Sequence, residues 1–355
     1  MPPAERNDFA ETLSMLYVGQ LWEGSTTVDR MRSLRELGVR VIPFDTTPYL
    51  RRGNRLVRAI ANRYHFGPRV SRLNRDLSTF ADRNRGFGCV WIDKGTWIWP
   101  STLTHLKGKG SVRLVHFTPD SALLGNQSRH FRKSIPRYDV LFTTKPFELD
   151  MHRELGARNL ILTFQSYEQT RFLPAIPSAE ELRRFSSDIT FIGHYDPHYA
   201  QCIRALVLRG LQVRVWGQKW DRYRRWHPWA ANVVAAHGVW GRDYPAALRC
   251  AKIALGLLIK GIPETTTTRT FEIPACGVFM LAERSDAHRA LFDEGKEAEF
   301  FACHEELIEK ARYYLAHPEA RQRIAQAGYR RCLKSGYSNR ARLESMLERV
   351  RECQP

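Results

Sequence analysis

Several things are missing from this 355-residue chain, and each absence narrows what it does. Its seven cysteines are odd in number and scattered, with no Cys-x-x-Cys pair, so a reduced setting and no structural metal are expected. No apolar run approaches the roughly 18 residues of a membrane span, which argues against an integral membrane protein. Met1 to Asp8 lack the charged-then-apolar pattern of a secretion signal. The expectation is a cytoplasmic protein.

Negative charge is also scarce: 55 Lys and Arg stand against 37 Asp and Glu, a formal net charge of +18. A field of that sign draws anions, whether nucleic acid, acidic lipid or phosphorylated substrate. The densest basic region runs from Arg51 to Arg85, with arginines also at 52, 55, 58, 63, 69, 72, 75 and 83. It reads as a solvated outer helical face, or as a dock for anionic headgroups or an anionic acceptor. No helix-turn-helix, zinc-finger or RNA-recognition signature accompanies it, so nucleic acid is not expected as a partner.

What is present is length and alternation. A chain of this length exceeds what one hydrophobic core usually serves, so two domains are expected. Residues 14–19 read as a strand, 26–37 as a helix stopped by Gly38, and 39–44 as a second strand. Between the first two lies Gly19-Gln20-Leu21-Trp22-Glu23-Gly24-Ser25-Thr26, a glycine-punctuated loop that falls short of the full Gly-x-Gly-x-x-Gly fingerprint. It reads as a strand-to-helix turn with Ser25 or Thr26 as N-cap.

Further strands at 89–93, 112–117, 140–144 and 159–164 complete a first domain ending near Phe172. Thr118-Pro119-Asp120-Ser121 follows a strand's C-terminal end, where open parallel sheets bind ligands. His116 and Asp120 are therefore acceptor-side candidates, although a lone histidine in such a strand also reads as a packed core imidazole. Residues 173–180, with Pro174 and Pro177 among small residues, read as an extended linker. Alternation then restarts with a strand at 189–193, a helix at 199–209 and strands at 212–216 and 251–258, followed by C-terminal helices at 305–317, 319–334 and 340–351. His194 and Lys219 each follow one of these strands; Lys260 lies just beyond another.

The second half is organised around residues 264–281. Glu264 and Glu272 stand eight positions apart with Arg269 between them, and Ala275-Cys276-Gly277 makes a small-residue turn before an apolar strand. A short helix is expected to begin near Thr268 or Thr270 and end at Gly277, starting late or kinking because of Pro274. Arg269, Thr270 and Glu272 would share its first turn. A guanidinium forks onto phosphate oxygens, backbone N–H groups attract phosphate, and a carboxylate accepts from a ribose diol. Taken alone, the same residues also read as solvated charges beside a threonine loop.

Glu264-x7-Glu272 followed by Ala275-Cys276-Gly277 resembles the Glu-x7-Glu signature of retaining glycosyltransferases with the two-Rossmann-domain GT-B fold. The fuller text from Arg269 to Gly277, with Phe292-Asp293-Glu294-Gly295-Lys296-Glu297, is similar to the spore-maturation-protein-like branch of glycosyltransferase group 1. The match covers residues 240–335 and fades before 180.

This resemblance implies an α/β GT-B architecture whose two Rossmann-like domains face across a cleft. Residues 1–172 would be the acceptor-side domain, 173–180 the linker and 181–339 the nucleotide-sugar domain, with a terminal helix at 340–355 crossing back to the first. It also implies transfer of a sugar from a nucleoside-diphosphate donor to an acceptor hydroxyl, with retention. Arg269, Glu264 and His116 would be catalytic. Glu272, Arg269, Thr270, Lys260, His194 and Lys219 would bind the donor, His194 departing from the basic residue relatives often place there. Gly19, Trp22, Gly24, Ser25 and Asp120 would line the acceptor side. No Asp-x-Asp motif is present, so neither metal nor cofactor is expected. The basic surface suggests a glycan or lipid-linked acceptor near the inner face of an anionic membrane, as in cell-envelope glycan synthesis. Two competing readings are a non-catalytic basic binding protein on the same scaffold and a nucleotide-sugar epimerase.

Overall fold

The structure is a computed structural model that describes residues 13–51, 54, 64–108, 112–125, 127–235 and 237–353. The chain divides into two compact units, Met1–Phe164 with Asn339–Pro355, and Gln165–Ser338. Arg52, Arg55, Arg58 and Arg63 of the basic region lie outside the described residues. Most of its remainder is the helix Pro68–Arg83, which buries Val70, Leu73, Leu77 and Ala81 along one side and leaves Arg72, Arg75 and Arg83 exposed. That is the solvated face expected of an amphipathic helix.

In the first unit six strands, β1 (Ser14–Gly19), β2 (Arg40–Asp45), β3 (Cys89–Asp93), β4 (Arg113–Thr118), β5 (Val140–Thr143) and β6 (Leu160–Leu162), pair in the order β2-β1-β3-β4-β5-β6. Every pairing is parallel. Parallel sheets are covered on both faces, which is why β3 is buried at every position rather than alternately. Leu16, Val18, Val90 and Ile92 face one core layer. Met15, Tyr17, Trp91 and Val115 face the other, together with Leu343, Met346, Leu347 and Val350 of the terminal helix Asn339–Glu352. That helix packs on Thr26–Glu36, so the chain's last helix returns to the first unit.

In the second unit β7 (Ser187–Ile192), β8 (Val213–Trp216), β9 (Ala251–Gly256), β10 (Phe279–Glu283) and β11 (Glu299–Phe301) pair in the order β11-β10-β9-β7-β8, again all parallel. β11 is three residues long, too short for a periodic signal, and sequence reading missed it. The boundary also differs from the expected Phe172. Tyr167 and Phe172 are buried in the second unit's core, Phe172 edge-on to Tyr244 at 5.3 Å, so the division falls at Phe164. The proline-rich stretch runs along this unit rather than between the two: Pro174 packs on Gly277. Ser178 closes a capping box on the helix Ala179–Phe185. Among the described residues no helix is long and apolar enough to cross a membrane.

Candidate functional site at the end of the second sheet

From β7 the chain moves outward to β8, then returns to place β9 on β7's other side. Strand order reverses between β7 and β9, and the loops leaving their C-terminal ends diverge there, which is where open α/β sheets hold ligands. Arg269 occupies that point. Its Nη1 donates to the Ile192 carbonyl at the end of β7 (3.3 Å) and its Nη2 to Leu257 just beyond β9 (2.9 Å). The guanidinium lies over the rings of Phe191 and Tyr199, 5.2 and 5.9 Å from their centroids. Its Nε is buried without a hydrogen-bond partner, and among the described residues it makes no ion pair. A guanidinium carries five N–H donors; here a full positive charge is positioned by neutral carbonyls, with donors to spare.

The helix Arg269–Ala275 begins within the expected window and, rather than starting late, holds Pro274 inside it as the next-to-last residue. The Thr268 carbonyl accepts from the amides of Phe271 (3.0 Å) and Glu272 (2.9 Å). Gly277, at φ +68°, supplies the left-handed residue that ends it. Glu272 lies one turn from Arg269 on this helix, is 3% exposed, and accepts from the Tyr244 hydroxyl at Oε2 (2.6 Å). It is a fixed carboxylate rather than a solvated one. Glu264 is half-buried, and its charge is felt by both Tyr199 and His194.

His194 and Lys219 leave β7 and β8 side by side, because Gly193 and Gly217 bring those loops together: a Cβ at Gly217 would lie 1.8 Å from the Gly193 carbonyl oxygen. Only glycine permits that approach. Partial burial of the ring, then the charges of Arg269 and Lys219, push the His194 imidazole below its ordinary pKa. Arg269, His194, Lys219 and Glu264 are thus brought together. Lys260 is not part of that group's hydrogen bonding; its ammonium pairs with Glu283. Thr270 corrects the expectation. It is 1% exposed, and its hydroxyl accepts from the Thr267 amide (3.1 Å) and bonds His288 Nε2 (2.9 Å), so it braces the helix instead of meeting a ligand.

The first unit's candidates fare differently. His116 is fully buried, its ring packed against Phe131 (4.7 Å) and Tyr138 (5.0 Å). Burial, with His152 nearby, lowers its pKa to about 3. It is the packed imidazole, not a catalytic group, because β4 is a central strand and position 116 points into a core layer. Ser25 caps the helix Thr26–Glu36: its hydroxyl accepts from the Val28 amide (3.2 Å) and donates to the Gln20 carbonyl (3.0 Å), which commits it to the turn. Trp22 and Gly24 belong to the same turn, the Trp22 carbonyl accepting from the Ser25 amide (3.1 Å) and Gly24 adopting φ +86°. Gly19 lines a small cavity with Gln20, Thr46, Asp93 and Lys94. Asp120 pairs with Lys94 at 2.8 Å. Partial burial raises its carboxyl, but Lys94, with Lys145 and Arg30 behind it, holds it below the usual range.

Sequence reasoning missed Tyr199 and Tyr244, the aromatic groups that fix Arg269 and Glu272. Neither carries a motif; only the packing singles them out.

Comparison with known proteins agrees with this geometry. Residues 199–348 match the family described as Glycosyl transferase-like. The spore protein CgeB of Bacillus subtilis is 27% identical over 260 residues, covering 62% of this chain and 79% of that one. Sucrose-phosphate synthase from Thermosynechococcus elongatus superposes with a TM-score of 0.69 at 12% identity, over 96% of this chain and 98% of its own. Alr3699/HepE from Anabaena, in complex with UDP and glucose, superposes at 0.62 and 10% identity, over 96% and 100%. At those identities the two structures speak for the fold alone, and the fold is GT-B. Over residues 199–348 the chain is thus similar to glycosyltransferases. Among curated proteins it resembles the spore protein CgeB.

Proposed function

We propose that the chain moves a sugar from a nucleoside-diphosphate donor to an acceptor hydroxyl, with retention at the anomeric carbon and without a divalent ion. The observation that carries this reading is Arg269: a guanidinium at the switch point of the second sheet, held by two carbonyls and, among the described residues, in no ion pair. In the reaction the bond from the anomeric carbon to the diphosphate breaks, leaving its electron pair on phosphate oxygen. The acceptor oxygen bonds to the same carbon and its proton is released. Negative charge thus grows on the leaving group, and a fixed cation there stabilises the transition state more than the ground state. Glu272 takes the ribose diol, since a carboxylate accepts several hydrogen bonds at once. Glu264 orients donor-sugar hydroxyls, and His194 and Lys219 add donors toward the phosphates. HepE, crystallised with UDP and glucose, supports a uridine diphosphate sugar as the first donor to try.

The acceptor falls to the first unit, with Gly19, Trp22, Gly24 and Asp120 beside the end of its sheet. The exposed arginines of Pro68–Arg83 support a glycan or lipid-linked acceptor at an anionic membrane surface, on the cytoplasmic side, in envelope glycan synthesis. Co-sedimentation with acidic vesicles at moderate salt is expected; failure to sediment removes the membrane element.

Two measurements test the core of the reading. The His194 imidazole resonance, followed by NMR across pH, should titrate higher once UDP is bound, because burial depresses it first and the diphosphate offsets the charges of Arg269 and Lys219 that depress it further. An unmoved titration removes the phosphate assignment. Incubation with a panel of nucleotide sugars should release diphosphate in an acceptor-dependent way. Conversion to an epimer without acceptor, or no turnover at all, points to the competing readings.

A further inference from the structure

Beside the donor site, the end of the second sheet holds a second cluster of side chains. We infer that His198, Cys202, His304 and Glu283 form a binding site for one zinc-class divalent ion.

The ligands come from three elements. His198 and Cys202 stand one turn apart on the helix Pro197–Leu208, a spacing that puts both on the same face. His304 opens the helix His304–Ala316, and Glu283 is the last residue of β10. The Cys202 sulfur lies 3.7 Å from Nε2 of His198 and 3.7 Å from Nε2 of His304. The His198 Nε2 lies 2.8 Å from Glu283 Oε1, and the potential donor atoms of His198, Cys202 and Glu283 all fall within 4.8 Å of one another.

Tetrahedral zinc has Zn–S of about 2.3 Å and Zn–N of about 2.0–2.1 Å, so its S···N edges are about 3.5–3.6 Å long. Both sulfur–nitrogen contacts are already within a few tenths of an ångström of that edge. Of the three contacts, the histidine–carboxylate one must open to about 3.3 Å as a hydrogen bond gives way to two metal bonds, and His304, which touches the cluster through Cys202, must close on the other two ligands. Two nitrogens, a sulfur and one oxygen make a zinc or cobalt donor set, not a magnesium one. The carboxylate is held from behind, its Oε1 by the Leu258 amide (2.8 Å) and its Oε2 by the Lys260 ammonium, the outer support such ligands need. Cys202 is fully buried, which pushes its thiol up to about 12. Coordination replaces the thiol proton with the ion and releases that proton to solvent. The His198 side chain, 21% exposed, leaves a way in.

The site's place suggests its use. Leu257 accepts from Arg269 and Leu258 donates to Glu283, so adjacent residues beyond β9 serve the two clusters. An ion here would tie β10 to both helices and anchor the loop that aims Arg269. Its ligands, scattered from 198 to 304, form no sequence motif. The inference does not rest on the proposed reaction, and its test measures no transfer.

The metal-free full chain is titrated with cobalt(II). One equivalent should bind, with a thiolate-to-cobalt charge-transfer band and strong tetrahedral absorption, and zinc should displace it. Cys202→Ser should lose the charge-transfer band, and His304→Ala should weaken cobalt binding at least about tenfold. Cys303→Ser, at an exposed neighbouring thiol, should change neither. Binding without the band, or a band that persists in Cys202→Ser, overturns the site. Should Cys202→Ser not fold, half-buried His304 decides: unchanged affinity in His304→Ala overturns it equally.

Discussion

At the switch point of the first sheet, between β1 and β3, Asp93 accepts from Nε and Nη2 of Arg30 at 2.7 and 2.9 Å, and from the hydroxyls of Tyr17 (2.8 Å) and Thr27 (3.2 Å). At the switch point of the second, between β7 and β9, Arg269 meets carbonyl oxygens and aromatic faces. Both places put a guanidinium at the end of a parallel sheet. In the first unit the side chains of Arg30 and Asp93 are 6% and 0% exposed and neutralise one another; in the second no acid among the described residues forms an ion pair with Arg269. A charge that is paired and buried serves the fold, because breaking the pair leaves its partner stranded in low dielectric. A charge held only by dipoles remains open to an external anion. The same residue type thus supports architecture in one unit and binding in the other.

The comparison breaks most readily at Asp93. Asp93→Ala should cost about 3–5 kcal/mol of stability by leaving Arg30 buried and unpaired, read by urea denaturation, with donor affinity of the folded fraction unchanged. Arg269→Ala should do the reverse. Turnover should fall about 10²- to 10³-fold, as for removal of a transition-state donor, while the unfolding midpoint moves little. Similar loss of stability in both variants would erase the distinction.

Acid sharpens the contrast by separating the units. His116 in the first has its folded pKa lowered, to about 3, chiefly by burial. The unfolded chain therefore takes the proton first, and stability present above the ordinary histidine value drains away as pH falls from about 6.5 toward 3. In the second unit Glu306 is held at about 2 by its hydrogen bonds to Arg284, so its contribution drains as pH falls from about 4.5 toward 2. His116→Phe, matched in shape to a ring between Phe131 and Tyr138, should flatten the stability profile between pH 6 and 4 by a few kcal/mol. Glu306→Gln should leave the profile between pH 6 and about 5 unchanged and flatten it only below that.

Smaller effects remain. Glu272→Ala removes a hydrogen bond to a charged group, about 1.5–3 kcal/mol, so donor affinity by calorimetry should fall roughly ten- to a hundredfold; unchanged affinity removes the ribose assignment. Ser25→Ala, loss of an N-cap, should cost about 1 kcal/mol of stability and nothing in donor binding.

Much of this is legible in the order of the residues. The period-two and continuous apolar runs locate every strand except β11, and Gly277 ends its helix where a left-handed residue is expected. Arg269 and Glu272 stand out from one local stretch. The failures share a cause. His116 and Thr270 look like ligands because a side chain's chemistry is visible in sequence, whereas the rings that bury His116 and the partners that occupy the Thr270 hydroxyl are not. Phe172 reads as the end of a domain because burial against Tyr244, 72 positions away, leaves no local trace.

The chain's order alone determined the alternating α/β character, the two-part organisation and the placing of a cation and an acid on one short helix, since helical and strand periods are local properties. Only the tertiary structure decided which charges are answered from within. Arg269 reaches a carbonyl 77 positions away and Arg30 a carboxylate 63 positions away, and whether a charge is paired depends on which strand ends the sheet brings together, a long-range fact that no nearby residue encodes.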